Sequence, residues 1–423
     1  MIEVAEKYGP LVRIGPNDLL CTDPDTLRRI SAVRSLYTKG EFYETGRIIP
    51  GHNNVVSERD ETKHKALRAK MAGAASSHML DNGTSGFEDS VDRQLLELVA
   101  LIDRKYLSED GIFRPFDLCA KAHFFSLDVI SDSSFSTAFG FLVEDRDLHR
   151  FIEINDSAVP IMNFLQAMPW LSSIVHSWPL RLALPNDGDR VGLGRLMGTT
   201  CYFTHSMSCL ILIDFSVAGS ITTAAAIRHT FLALMSNPMA YARLQKEIDD
   251  GINGGSISSP IIADAEAQAL PYLQAVIREG LRMWPPTTGL GSKQVPKAGD
   301  VICGYTVPEG TRIANNFSGI MRVKSIWGDD SHVFRPERWL EAETEGGDRT
   351  VLLNSVLDLD FGSGKYQCLG KRIALTELNK LFVEVSLYYS RPLVSKFMRL
   401  CGLTLPPSYF GDTTLLSSTP KVQ

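Results

Sequence analysis

The 423-residue chain predicts one large, mainly α-helical domain that carries small β-sheets. Three observations lead there. Apolar residues recur at helical spacing over long segments in both halves, at 88–107, 117–135 and 210–235. Alternating apolar runs are few and short, the clearest being 11–14. No repeat and no Gly/Ser-rich linker divides residues 1–423, although the length alone would allow two or three domains.

The elements follow in order. Residues 3–8 form a short helix that Gly9-Pro10 ends, 11–14 a strand, and 15–18 a turn into a second strand. Asp23-Pro24 starts a helix reaching about Ser31, because Pro is favoured in the first turn and Asp caps it. A basic helix spans 60–78 with His64, Lys65, Arg68 and Lys70. The section 151–178 is apolar and interrupted by Pro160 and Pro169; it reads as core, with short helices roofing a pocket as the alternative. After the apolar helix at 210–235 come an amphipathic helix at 238–248 and another opening at Leu270-Pro271 and stopping at Pro285-Pro286. Residues 304–311 read as a hairpin turning at Pro308-Glu309-Gly310, and a last helix covers 371–388.

Composition narrows the function classes. With 44% hydrophobic and 22% charged residues, the chain is neither disordered nor fibrous. Its 43 basic and 49 acidic residues give a net charge of −6, which does not suit a nucleic-acid binder. Seven cysteines form no CxxC pair, so a functional cysteine is expected to act alone in a reducing compartment. No run of 18 apolar residues occurs, and the first seven residues read as an amphipathic helix, so the chain as written is expected to be soluble.

The most informative stretch is Phe361-Gly362-Ser363-Gly364-Lys365-Tyr366-Gln367-Cys368-Leu369-Gly370. Its glycines allow a tight loop whose backbone can approach something flat and bulky. Cys368 stands just ahead of a helix start, where free N–H groups favour a thiolate. A lone thiolate on such a loop is what a haem iron takes as its axial ligand. An isolated cysteine is by default a small buried hydrophobe. The spacing F-x-x-G-x-x-x-C-x-G, however, should arise by chance in only about one chain in a thousand.

Further motifs stand in a fixed order. Glu279-Gly280-Leu281-Arg282 places an acid and a base on one helix face, and Phe334-Arg335-Pro336-Glu337-Arg338-Trp339 follows it. Upstream lies Ala218-Gly219-Ser220-Ile221-Thr222-Thr223, within the most apolar helix.

With these motifs the chain resembles the cytochrome P450 superfamily of haem-thiolate monooxygenases. The match covers 3–195 and 216–385, and the runs 6–16, 139–142 and 365–371 look most like the fungal pisatin demethylase-like group. The resemblance implies a P450-like domain with haem held between the long central helix and the Cys-loop helix. It implies that Cys368 ligates iron and that Glu279, Arg282 and Arg338 form a buried structural network. It also implies that Thr222 helps deliver protons to bound oxygen, while Gly219 and Phe361 lie against the cofactor. Haem carboxylates are expected to meet Arg68 and His64, the latter replacing the family's Trp, together with Lys293 and Lys365; Tyr366 occupies the position where the family carries a cation.

The implied activity is NADPH- and O2-dependent hydroxylation, epoxidation or O-demethylation of a small apolar molecule in fungal secondary metabolism. Electrons would come from a separate NADPH-cytochrome P450 reductase. The protein is expected to be monomeric and, as in the family, to sit on the cytosolic face of the endoplasmic reticulum through an N-terminal anchor that this chain does not show. The sequence departs from the family in three places. Ile221 stands where an acid is usual, and an aliphatic side chain cannot relay a proton. Segments 197–215 and 390–423 are atypical, through divergence or a faulty gene model. These departures motivate the alternative of a catalytically impaired haem-binding remnant, or of a haem enzyme that catalyses a non-oxygenating rearrangement.

Overall fold

A computed structural model describes residues 2–47, 52–79, 86–107, 114–168, 208–288 and 291–389, with 171, 174, 177, 188–191 and 194–195. Residues 169–170, 196–207 and 390–423 lie outside this set, and with them Pro169, Trp170, most of the atypical middle and the whole atypical tail.

The chain opens with α1 (Ile2–Tyr8), β1 (Leu11–Gly15) and β2 (Asp18–Cys21), an antiparallel pair. In α2 (Pro24–Ser31) the Asp23 side chain accepts the Thr26 N–H at 2.8 Å, the cap its sequence predicts. Next come β3 (Thr38–Lys39), α3 (Glu61–Met79), α4 (Phe87–Leu101) and α5 (Leu118–Phe135). α6 (Phe141–Glu144) is short, and α7 spans Phe151–Ala167. The long apolar helix is α8 (Ser208–Met235), followed by α9 (Pro238–Asn253), α10 (Asp264–Gln268) and α11 (Pro271–Met283).

Strands β4 (Lys293–Gln294), β5 (Asp300–Ile302), β6 (Tyr305–Val307) and β7 (Arg312–Asn315) then precede α12 (Phe317–Ile320), α13 (Lys324–Trp327), α14 (Glu337–Glu345), α15 (Gly347–Leu357) and α16 (Lys371–Tyr389). One sheet has the order β1-β2-β7-β4-β3, with β2 and β7 parallel. β5 and β6 form a separate hairpin.

α8 is the axis of the core. It packs on α5, α11, α16 and α9, with Phe231 stacked on Phe382 of α16 at 4.4 Å between ring centroids. Residues 217–235 are long and apolar enough to cross a membrane, yet half of that stretch is buried by these neighbouring helices. Its hydrophobicity is therefore used inside the protein, as expected of a helix apolar on all sides.

Two sequence expectations fail. The section after Phe151 is one continuous helix through Pro160, and it is not core. Beyond Phe151 none of its side chains is buried, and Ile161, Met162, Phe164 and Met168 are exposed. Proline disrupts a helix by removing an N–H and crowding the preceding turn; Pro160 lies on the exposed outer half, where water can satisfy the freed carbonyl. The second failure is the hairpin. Its turn is Cys303-Gly304, both with positive φ (48° and 83°), while Pro308-Glu309-Gly310 carries the chain from β6 across to β7 in the other sheet. Two consecutive positive φ values are the backbone twist a two-residue hairpin needs.

Candidate active site

The Glu279–Arg282–Arg338 network forms as the motif order implies. Arg282 donates to Glu279 through Nε at 2.9 Å and Nη2 at 2.7 Å, Arg338 Nε adds a bond at 3.0 Å, and Trp339 Nε1 another at 3.0 Å. The Arg335 N–H completes the set at 2.9 Å. All three charged residues are buried. Burial alone would raise the Glu279 pKa; the charges and hydrogen bonds of Arg282 and Arg338 outweigh it and hold the carboxyl below its ordinary range. Other guanidinium donors go to backbone oxygens of Met321, Ser331 and Trp327 at 2.6–2.7 Å, and Arg338 Nη1 also pairs with the Asp330 carboxylate at 3.1 Å. The network thus ties α11 to the segment 321–339 that leads toward the Cys loop.

In that loop the Cys368 N–H donates to the Phe361 carbonyl at 2.6 Å, closing a turn between the ends of the motif. Gly362 (φ +69°) and Gly364 (φ +56°) permit it: a Cβ on Gly362 would lie 2.7 Å from the Tyr366 oxygen. The close approach bought by Gly364 is to α2 and not to a flat ligand, since its Cβ would lie 2.2 Å from the Ser31 carbonyl oxygen. Cys368 itself is exposed. Although it reaches solvent, the protein packed around its sulfur raises the thiol pKa, against the N–H groups of Gly370 and Lys371 and the charge of Arg68. The expected preference for thiolate is therefore outweighed by desolvation in the bare protein. A bound cation would reverse that balance.

Arg68 on α3 is the cation nearest in effect to Cys368: each stabilises the other's charge, while burial pulls the Arg68 pKa down. Half-buried, it has no hydrogen-bond or ion-pair partner among the described residues. His64, one turn earlier, is buried with its ring 5.4 Å from that of Tyr366. Burial, with the charges of Lys39, Arg68 and Lys293, pushes its pKa down to about 4, so the imidazole is neutral at pH 7.

Lys293 on β4 is buried, donates to Tyr43 Oη at 2.8 Å and lies 3.7 Å above the Tyr366 ring. Its pKa falls to about 7, chiefly through burial. Lys365 is engaged elsewhere: it donates to the Ser35 and Tyr37 carbonyls at 3.1 and 2.9 Å and pairs with Glu61 at 3.1 Å. Its donors hold the loop to the chain ahead of β3. Tyr366, whose hydroxyl bonds Glu61, is the hub on which these groups meet.

Sequence reasoning missed Lys39. It is buried on β3, within cation–π distance of both Tyr43 and Tyr366, and bonds the Val55 and Val56 carbonyls at 2.6 and 2.9 Å. Its pKa, like that of Lys293, falls to about 7, first through burial and then through Lys293 itself. Nothing in the sequence marks it, because a lysine ending a two-residue strand reads as surface.

On α8, Ala218 and Thr222 are exposed, one turn apart on a face that the surrounding helices leave uncovered. Thr222 Oγ1 donates to the Ala218 carbonyl at 2.7 Å. Gly219 serves a different contact from the one expected: its Cβ would lie 3.1 Å from Ile130 of α5, so it allows close helix packing, and Ala218 is the small residue on the open face. Ile221 is half-buried. Phe361 is partly buried against the core.

A haem placed here would need an accessible thiol, cations for two carboxylates and an uncovered helix face. The exposed Cys368 and the Ala218–Thr222 face supply the first and last of these, and Arg68, unpartnered among the described residues, supplies one of the cations.

Comparison with known proteins gives the class. The Cytochrome P450 family model matches residues 203–390. Cytochrome P450 monooxygenase ABA1 of Pyricularia oryzae is 38% identical over 417 residues, covering 90% of this chain and 80% of that protein. Cytochrome P450 monooxygenase aba1 of Botryotinia fuckeliana is 34% identical over 422 residues (93% and 81%), and abl1 of Leptosphaeria maculans 34% over 409 residues (90% and 70%). The chain belongs to the cytochrome P450 family, whose cofactor is haem. It is a monooxygenase, an oxidoreductase with relatives in filamentous fungi.

Proposed function

We propose that residues 1–423 act as one P450 domain that hydroxylates, epoxidises or O-demethylates a small apolar molecule of fungal secondary metabolism. The observation that carries this reading is the exposed Cys368 beside a half-buried Arg68 that has no hydrogen-bond or ion-pair partner among the described residues. A solvent-screened cation has no need of a partner, but one withdrawn from water costs free energy until an anion meets it. Haem, when bound, supplies activation of dioxygen by a thiolate-ligated iron.

In this reading Cys368 is the axial ligand, and Arg68 and Lys293 hold the haem carboxylates, with His64 as a neutral hydrogen-bond donor. Phe361 and Gly219 support the loop and the helix on either side. Lys365 fixes the Cys loop from behind. Thr222 orients water on the open face of α8. The Glu279–Arg282–Arg338 network keeps the segment leading to the Cys loop in place.

Electrons come from NADPH through a separate reductase, and the protein works as a monomer at the cytosolic face of the endoplasmic reticulum. The runs 6–16 and 365–371 support a place in the pisatin demethylase-like group. The test is turnover with a P450 reductase and NADPH, comparing cofactor consumed with product formed across a panel of apolar substrates. Wild type is expected to be poorly coupled, and Ile221→Asp to improve coupling. Unchanged coupling in Ile221→Asp would remove the significance given to that departure, and no product from any substrate would favour a haem-binding remnant.

A further inference from the structure

Two thiols meet where the β5–β6 hairpin lies on the start of α2. Cys21 ends β2 and is fully buried, its Sγ 3.9 Å from the Asp23 carbonyl oxygen. Cys303 is exposed in the hairpin turn. The two side chains are in hydrogen-bond contact, and Cys303 also contacts Thr26 in the first turn of α2. Their distance apart in the sequence hides the pair.

A buried cysteine is by default a small hydrophobe, and that explains Cys21. It does not explain Cys303. The turn takes positive φ at both central residues, where Asn, Asp or Gly is favoured. Cys303 holds φ +48°, a conformation uncommon for a residue with a Cβ. A side chain with no turn-forming role thus occupies a strained position in contact with a second sulfur.

The contact is held by bonds on either side of it. Arg29 of α2 pairs with Asp300 of β5 at 2.8 Å and donates to the Val301 carbonyl at 3.3 Å. The Tyr37 hydroxyl donates to the same Asp300. These bonds fix the hairpin on α2, and fixed proximity of this kind raises the effective concentration of two reacting groups. The same elements reach the Cys loop. The Tyr37 carbonyl accepts from Lys365 at 2.9 Å, and Gly364 lies against Ser31 at the end of α2.

We propose that Cys21 and Cys303 close a reversible disulfide when small disulfides such as oxidised glutathione accumulate, clamping the β5–β6 hairpin to α2 and so steadying the Cys loop. The Cys303 thiolate attacks one sulfur of the small disulfide, forming a mixed disulfide and releasing one small thiolate. The Cys21 sulfur then attacks the Cys303 sulfur, and the second small thiolate departs. Protons lost by the two cysteines are taken up by the two released thiolates. Two protein thiols are thereby oxidised and one small disulfide is reduced. Burial, foremost, holds both protein thiols above their ordinary pKa, Cys21 at about 12, so closure is slow and the pair rests reduced.

The test takes the full chain, bare and haem-loaded, through mixtures of oxidised and reduced glutathione. Free thiols are then blocked with iodoacetamide, and peptides digested without reductant are mapped by mass spectrometry. A peptide joining Cys21 to Cys303 should appear on oxidation and disappear with dithiothreitol. The thermal unfolding midpoint should rise with it by about 3–5 °C, because a cross-link closing so long a loop restricts the unfolded chain. Transfer of haem to an apoglobin acceptor should slow. Cys303→Ser, at an exposed position, should lose the linked peptide, the shift and the slowed transfer.

A glutathione adduct on Cys303 with Cys21 still free, or no linked peptide in oxidised glutathione alone, overturns the disulfide. A linked peptide with an unchanged midpoint or unchanged haem transfer overturns the clamp. An equal midpoint shift in Cys303→Ser assigns the effect to another cysteine and overturns both. The peptide and the midpoint are read on the bare chain as well, so a chain that takes up no haem overturns the haem reading while these two readouts still decide the disulfide.

Discussion

Removing the Glu279 carboxylate is the sharpest perturbation of the fold, and Glu279→Gln performs it at nearly constant volume. The carboxylate takes five hydrogen bonds, from Arg282 twice, Arg338, Trp339 and the Arg335 N–H, with no exposure to water. An amide has one acceptor oxygen and would turn N–H donors toward two guanidinium groups. It would also leave the fully buried Arg282 without a counter-charge and Arg338 with only Asp330, at 3.1 Å. Breaking a buried ion pair by removing one partner costs about 3–5 kcal/mol. With a urea slope of about 3 kcal/mol per M, the unfolding midpoint should drop by about 1–1.7 M.

Urea unfolding of the haem-loaded chain, read by circular dichroism and by loss of haem absorbance, measures it. A drop below about 0.3 M would refute the view that this network holds the core, because such a cost belongs to an exposed pair. The pH dependence carries the same sign. Glu279 has a folded pKa below its unfolded value, so its contribution is full above the unfolded carboxyl range and is lost as pH falls through the folded value. Glu279→Gln should therefore flatten the acid limb of the stability curve.

Three further outcomes are expected. Gly364→Ala, at φ +56° and 2.2 Å from the Ser31 oxygen, should cost about 1–3 kcal/mol in backbone strain, with further loss from displacing the loop, and thermal unfolding should show it together with weaker haem retention. Arg68→Met should weaken haem retention about 10- to 150-fold, the equivalent of one charge-assisted hydrogen bond of about 1.5–3 kcal/mol, measured by haem transfer to an apoglobin acceptor. Lys39 and Lys293 have folded pKa values near 7, so between pH 7 and the ordinary lysine range the unfolded chain binds more protons. Stability of the haem-free chain should therefore rise with pH from 7 to 9, and haem loading should flatten that rise by keeping both lysines charged. Equal slopes with and without haem would place these lysines away from the carboxylates.

Much of the fold was legible because its signals are local. Asp23-Pro24 announced α2, Leu270-Pro271 announced α11, and the alternation at Leu11 to Ile14 announced β1. The spacing from Glu279 to Arg282 placed both on one helix face, and the chain order of the motifs brought Arg338 to them.

What failed depended on distant partners. Pro160 and the apolar residues after it suggested a broken core segment, since composition does not reveal which side of a helix the rest of the protein covers. The β6–β7 connection mimics a hairpin, and the pairing of β7 with β2 and β4 shows where β7 goes. Lys39 is invisible in the sequence because charged residue types read as surface, and burial is decided by elements far away in sequence. Gly364 was recognised as a tight-loop residue, but its reason is α2, more than 300 residues upstream.

The central claim is that Cys368 presents a thiolate to haem iron while Arg68 beside it answers a carboxylate. The measurement that tests it most directly is the carbon monoxide difference spectrum of the reduced, haem-reconstituted chain, taken for wild type, Cys368→Ala and Arg68→Met. A Soret band characteristic of thiolate-bound iron in wild type, its loss in Cys368→Ala, and its retention at lower haem occupancy in Arg68→Met are the predicted results. The same band persisting in Cys368→Ala, or no haem uptake by wild type, would contradict the account.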